Sequence, residues 1–188
     1  MSNTSVYAPI TQIEAMESRT IACIVDNEPG ALARVVGLFS ARGYNIESLT
    51  VAETDIDKHR SRITIVTSGT PSTLEQIELQ LNRLVSVRRV GNVSGNPEAI
   101  EREMGLFKIV CEGERRVEAM RLAEIFRAKT IDASNTSLIF ELTGTKEKID
   151  AYRDLMIPLG LTETSRTGSL SIRRGPMEGI GDIRRNRD

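Results

Sequence analysis

From Arg19 onward, apolar positions recur at a spacing that switches between alternate residues and one helical turn. Thr20 to Asp26 reads as a strand, Gly30 to Arg42 as a helix, Asn45 to Glu53 and Arg62 to Ser68 as strands, Ser72 to Leu84 as a helix and Val87 to Ser94 as a strand. Ala31, Leu32, Val35, Leu38 and Phe39 share one helical face, as do Leu74, Ile77, Leu81 and Leu84, so each helix has a side to bury against a sheet. Gly95-Asn96-Pro97 then breaks the pattern with turn chemistry. Beyond it the order returns: strand Met104 to Glu112, helix Arg115 to Arg127, strands Thr130 to Ala133 and Ser137 to Thr143, helix Lys146 to Leu159, strand Leu161 to Ile172.

This repeat predicts an α+β protein of two ferredoxin-like βαββαβ modules, residues 19–94 and 103–175. A linker is expected at 95–102, a flexible arm at 1–18 and a flexible tail at 176–188 that carries Arg184, Arg185 and Arg187. In such a module the helices cover one face of the sheet. Ile21, Cys23 and Val25 nevertheless alternate with Ala22 and Ile24, apolar on both sides, so the other face needs a cover as well. Modules of about 75 residues bury only about 60 to 65% of their unfolded surface. Joining sheets with a twin answers both needs, and a homodimer through the first module is the expectation. The alternative is that the second module covers this face within one chain.

Composition narrows the function. With 39% hydrophobic and 27% charged residues the chain is an ordinary globular mix, and a net charge of −1 from 25 basic and 26 acidic residues gives no field to attract nucleic acid or an anionic membrane. Cys23 and Cys111 lie inside apolar runs, where a thiol behaves as a small hydrophobe. With one histidine, His59, and no C-x-x-C pair, a zinc site or Cys/His nucleophile is not indicated. No basic leader followed by an apolar stretch opens the chain, and no apolar run approaches the roughly 18 residues of a membrane span. A cytoplasmic protein is expected.

The candidate chemistry sits at Asn27-Glu28-Pro29-Gly30-Ala31-Leu32, a polar turn between the first strand and first helix. Pro29 fixes its own φ and holds Glu28 extended, while Gly30 lets a ligand approach the helix start. The amides of Gly30, Ala31 and Leu32 are then among the unpaired donors of the first turn, at the positive end of the helix dipole, a setting that suits a small carboxylate. The plain alternative is Asn27 as a capping residue and Gly30 as a turn residue, with no ligand. A second turn, Gly43-Tyr44-Asn45-Ile46, favours the ligand, because in a paired-sheet dimer Asn45 and Ile46 of one chain can face the loop of the other.

The run VDNEPGALARVVGLFSARGYNIESLTV, Val25 to Val51, closely resembles the ACT domain of the regulatory, or small, subunit of acetolactate synthase. The resemblance continues through Leu74-Glu75-Gln76-Ile77 and Gln80-Leu81, then Glu101-Arg102-Glu103 and Glu124-Ile125-Phe126-Arg127, covering roughly residues 19–175. It implies two ferredoxin-like domains dimerised through the first, an ACT domain, and no chemistry of the chain's own. It further implies a partner, the catalytic (large) subunit, which the small subunit activates and makes sensitive to valine in branched-chain amino-acid biosynthesis. Thiamine diphosphate, magnesium and FAD would belong to that partner, with no cofactor on this chain. The implied valine site takes Asn27, Gly30, Ala31 and Leu32 from one protomer and Asn45 and Ile46 from the other.

Other functions fit less well. A stand-alone amino-acid sensor controlling transcription needs a helix-turn-helix or basic recognition surface, and the one Arg cluster lies in the glycine-containing tail. RNA-recognition modules share the βαββαβ order but stack bases on sheet aromatics, whereas this chain is 4% aromatic with none from Arg62 to Ser68. An acid/base set of Asp26, Glu28 and His59 is imaginable, yet ordinary surface carboxylates and a loop histidine explain those residues.

Overall fold

The computed structural model describes residues 15–94, 99–174 and 180. β1 (Glu17–Asp26), α1 (Ala31–Arg42), β2 (Ser48–Asp55), β3 (Arg60–Gly69), α2 (Pro71–Leu81) and β4 (Val87–Asn92) form the first module, an antiparallel sheet in the order β2-β3-β1-β4. The second contains β5 (Ala99–Val110), α3 (Gly113–Phe126), β6 (Lys129–Ala133), β7 (Ser137–Gly144), α4 (Lys146–Met156), a 3-10 turn (Ile157–Leu159), β8 (Leu161–Arg166) and β9 (Leu170–Arg173). Its strand order is β6-β7-β5-β8, with β9 paired to the N-terminal end of β5. This is the α+β architecture of twinned βαββαβ units that the hydrophobic spacing predicts.

Local chemistry sets several boundaries. Pro71 takes the first helical position of α2 and the Thr70 hydroxyl accepts from the Thr73 amide at 3.3 Å, so the helix starts one residue before the expected Ser72. Residues 99–102, expected in the linker, are strand, because they pair with β9 from Ala99↔Arg173 to Arg102↔Leu170. The single last strand expected at 161–172 is two, turned at Gly168 (φ 79°), where a side-chain carbon would run into Ser48 Oγ. β1 reaches back to Glu17, inside the expected arm; the rest of that arm through residue 14, and the tail save Ile180, lie outside the described residues.

Each module has its own core on the helix side of its sheet. Ile21, Cys23, Val25, Ile63 and Ile65 meet Val35 and Phe39 of α1 and Leu74, Ile77 and Leu81 of α2. Burial pushes the Cys23 thiol up to about 12, which leaves it protonated and unreactive. The opposite face of this sheet, carrying Thr20, Ala22, Ile24, Thr64 and Val66, is also buried. Its cover comes from the same chain: the Thr50 hydroxyl donates to Thr167 O at 2.9 Å, Arg62 donates to Ser171 O at 2.6 Å and to Ile180 O at 2.9 Å, and Gly168 is seated on Ser48 and Thr50. The alternative reading therefore holds for this face, and the bare-face argument for a homodimer is withdrawn. What the first sheet leaves unpaired is its two edges, since β2 pairs only with β3 and β4 only with β1 among the described residues.

In the second core the Tyr152 ring packs against Phe107, Phe126 and Phe140 at centroid distances of 5.0, 5.3 and 6.4 Å. Its hydroxyl is buried without a partner among the described residues, a cost of roughly 1 to 3 kcal/mol, and burial raises its pKa. Tyr152→Phe keeps the ring contacts and removes the orphaned group. It is expected to stabilise the chain by about 1 kcal/mol, an increase of roughly 2 to 4 °C in a circular-dichroism melt. Among the described residues no helix is long and apolar enough to cross a membrane.

Candidate functional site

The β1–α1 loop is held at both ends. Arg88 on β4 grips the Asp26 carboxylate, Nε lying 2.9 Å from Oδ1 and 2.7 Å from Oδ2, and this hydrogen bonding holds the carboxyl below its ordinary range. The Asn27 amide donates to His59 O at 2.6 Å, and the Glu28 amide to Asp26 O at 2.8 Å. Gly30 caps α1 in a left-handed conformation (φ 82°) that a residue with a side chain rarely adopts, and no side chain caps this helix start.

The donor count differs from the expected one. Ala31 is buried, and its amide is engaged by Glu28 O at 3.1 Å, a turn closed over Pro29. Among the described residues the free amides at the helix start are those of Gly30, Leu32 and Ala33, so Ala33, which sequence reasoning missed, takes the place given to Ala31. Counting the first-turn donors of a helix that begins at residue 31 would have found it. Asn27 and Gly30 are exposed, and Leu32 is 41% exposed beside them. Arg34, whose guanidinium is 3.9 Å from Glu28, adds positive charge at the same end. Exposed amides and a helix dipole together favour a carboxylate, with Arg34 and Arg88 offsetting the Glu28 and Asp26 carboxylates of the same loop.

Asn45 and Ile46 lie at the other end of the sheet. β2 runs parallel to β1: Asp55 is level with Arg60 and hence with Asp26 at the loop end, while Ser48 is level with Val66 and Thr20 at the far end. The length of β2, roughly 25 Å at about 3.3 Å per residue, separates Asn45 from the loop of its own chain. Asn45 was expected inside a strand that actually begins at Ser48; its carbonyl accepts from Thr67 Oγ1 at 2.6 Å, and its side chain is exposed. Ile46 packs against its own module's core and so gives a ligand at most part of its surface. One protomer thus brings Asn27, Gly30 and Leu32 together and leaves Asn45 and Ile46 apart from them.

The competing constellations do not assemble. Asp26 is committed to Arg88, and the His59 side chain is 81% exposed with Nδ1 3.9 Å from Glu53, so Asp26, Glu28 and His59 share no acid/base geometry. The sheet face on which an RNA-recognition module stacks bases bears Thr20, Ala22, Ile24, Thr64 and Val66, and it is buried. Among the described residues no three His, Cys, Asp or Glu side chains gather as metal ligands.

Comparison with known proteins agrees with the two-module fold. Residues 21–89 match the family described as AHAS small subunit-like ACT domain, and residues 102–175 match the family described as small subunit of acetolactate synthase. The acetolactate synthase small subunit of Haemophilus influenzae is 48% identical over 158 residues, 84% of this chain and 96% of that protein. The isozyme 3 small subunit of Salmonella typhimurium is 47% identical over the same length and shares. The crystal structure of the acetolactate synthase small subunit from Thermotoga maritima superposes with a TM-score of 0.78 at 36% identity, covering 86% of this chain and 99% of that one.

Proposed function

This chain belongs to the acetolactate synthase small-subunit family, and from that premise we propose that it is a valine-sensing regulator that activates the catalytic subunit and brings it under feedback inhibition. The observation that carries the reading is the division of the candidate site between the two ends of one sheet. A two-fold axis beside β2 that pairs this strand antiparallel with β2 of a second copy sets the Asn45 end of each chain against the loop end of the other. The unpaired β2 edge supports such a ladder, because exposed strand backbone is a template for pairing. The homodimer is then a sheet continued across an edge, with no demand on the face that the second module covers.

In the completed site the amides of Gly30, Leu32 and Ala33 hold the ligand carboxylate, and Asn27 closes over it. The Asn45 side-chain oxygen of the second copy accepts from the ammonium. Leu32 and the exposed part of Ile46 take the isopropyl group. A regulatory affinity of ~0.1 mM needs about −5.5 kcal/mol, within reach of a few charge-assisted hydrogen bonds and one buried valine side chain after the cost of association. The chain supplies no acid/base pair or cofactor site in this reading; thiamine diphosphate, magnesium and FAD are assigned to the catalytic subunit, and both partners to the cytoplasm.

Reconstitution tests it. Adding this chain to the catalytic subunit is expected to raise acetolactate formation, and valine near 1 mM to remove most of that gain. No stimulation, or stimulation that valine leaves untouched, would overturn the assignment.

A further inference from the structure

The lead-in to β2 has a second attachment, two residues after Asn45. The Glu47 carboxylate accepts from Ser68 Oγ on β3 and meets Lys146 Nζ, at the start of α4, at 3.3 Å. Among the described residues this is the one ion pair that joins the two modules; the others each lie within a single module. Both residues line a cavity of about 380 Å³ between the modules, whose walls also include Leu49 and Val66 on one side and Glu103 and Arg166 on the other.

The two walls differ in how firmly they are tied. Arg166 binds Glu103 through Nε at 2.6 Å and Nη2 at 2.8 Å, and Asp150 through Nη1 at 2.6 Å, so three charges of the second module form one closed unit. With those groups already paired, the cavity offers a ligand no free charge. It does offer room for the walls to approach or part. Glu47 is the charged group of the first module that reaches across it, and it is carried by the segment that holds Asn45.

We propose that the Glu47–Lys146 bridge is a latch through which an amino acid bound at Asn45 is felt by the second module. The inference rests on the amino-acid site proposed above and adds its route of communication. A ligand drawing Asn45 toward the dimer seam displaces the lead-in to β2, and at 3.3 Å a shift of about 1 Å ends direct contact between Glu47 and Lys146. Thr50 to Thr167 and Arg62 to Ser171 remain as the pivot on the outer face of β2 and β3. A half-exposed pair changes an equilibrium by up to about fivefold. Two latches in a dimer then give up to roughly thirtyfold, inside the span of about 5- to 150-fold usual for coupling between sites.

The experiment uses the full chain reconstituted with the catalytic subunit, valine titrated against activity, and calorimetry on the small subunit alone. Lys146→Glu alters the latch from the side remote from the ligand. It is expected to bind valine within about fivefold of the parent while activity in the absence of valine falls at least threefold, toward the parent's valine-inhibited level. Lys146→Arg should keep the parent's activity without valine, and the exchange Glu47→Lys with Lys146→Glu should restore it. A Lys146→Glu variant as active without valine as the parent, or an exchange no better than Lys146→Glu alone, would overturn the latch. Absence of calorimetric valine binding in the parent would instead overturn the amino-acid site.

Discussion

Gly30→Asp is expected to abolish valine binding while the protein stays folded and continues to stimulate the catalytic subunit. The backbone at Gly30 is left-handed (φ 82°), so any side chain costs roughly 1 to 2 kcal/mol there, though aspartate is among the residues that tolerate the region best. A Cβ at this position meets no atom within 4 Å, so steric collision adds nothing to that cost. A negative charge beside the first turn also interacts favourably with the helix dipole, returning about 0.3 to 1 kcal/mol. The ligand carboxylate faces the same charge across a few ångströms of partly solvated space. Repulsion of about 2 to 4 kcal/mol corresponds to a roughly 30- to 1000-fold loss, enough to carry a ~0.1 mM site beyond any useful concentration. Gly30→Asn separates the causes, since it keeps the shape and the backbone strain without the charge. Calorimetry should find valine bound within about tenfold of the parent in Gly30→Asn and undetectable in Gly30→Asp. Equal loss in both variants would mean that the carboxylate rests elsewhere.

How far the sequence reveals this site depends on the range of the interaction involved. Helix α1 was legible because Val35 and Phe39 are spaced for one buried face and are in fact buried. The double-sided apolar pattern of β1 correctly announced a sheet buried on both faces. What covers the second face was not legible: Arg62 meets Ser171 and Thr50 meets Thr167 at separations of more than one hundred residues, and such contacts leave no periodic trace along the chain. The start of β2 was misplaced because Thr67 Oγ1 takes the Asn45 carbonyl, a side-chain bond that stands outside the strand ladder. Leu32 belongs to the apolar stripe by spacing yet is 41% exposed, because it stands in the first turn of α1 at the end of the module. That free amides stand at the helix start was visible from Gly30 and the turn before it; which amides stay free was decided by the turn that lets Glu28 capture the Ala31 amide.

The open β2 edge gives the second large expected effect: Val51→Lys should turn the proposed dimer into a monomer and remove valine binding with it. Val51 lies opposite Ile63, on the helix-bearing side of β2, and is 43% exposed on this edge strand. Continuing the sheet into a second copy buries this side chain on each chain. Fully burying a valine is worth about 1.5 to 3 kcal/mol, so two partly buried copies supply roughly 2 kcal/mol of association. Lysine at an edge strand removes that gain and places like charges near one another across the two-fold axis, a device that natural sheets use to prevent edge pairing. A combined loss of about 3 kcal/mol raises the dimer dissociation constant somewhat over 100-fold. Sedimentation velocity at micromolar concentration should then show a monomer with unchanged circular dichroism, because the edge position contributes little to either module's core. In the proposed site Asn45 comes from a second copy, so calorimetric valine binding should disappear in the same variant and return at protein concentrations that restore the dimer. A Val51→Lys monomer that binds valine as tightly as the parent would place the whole site within one chain and remove the reason for the two-fold arrangement.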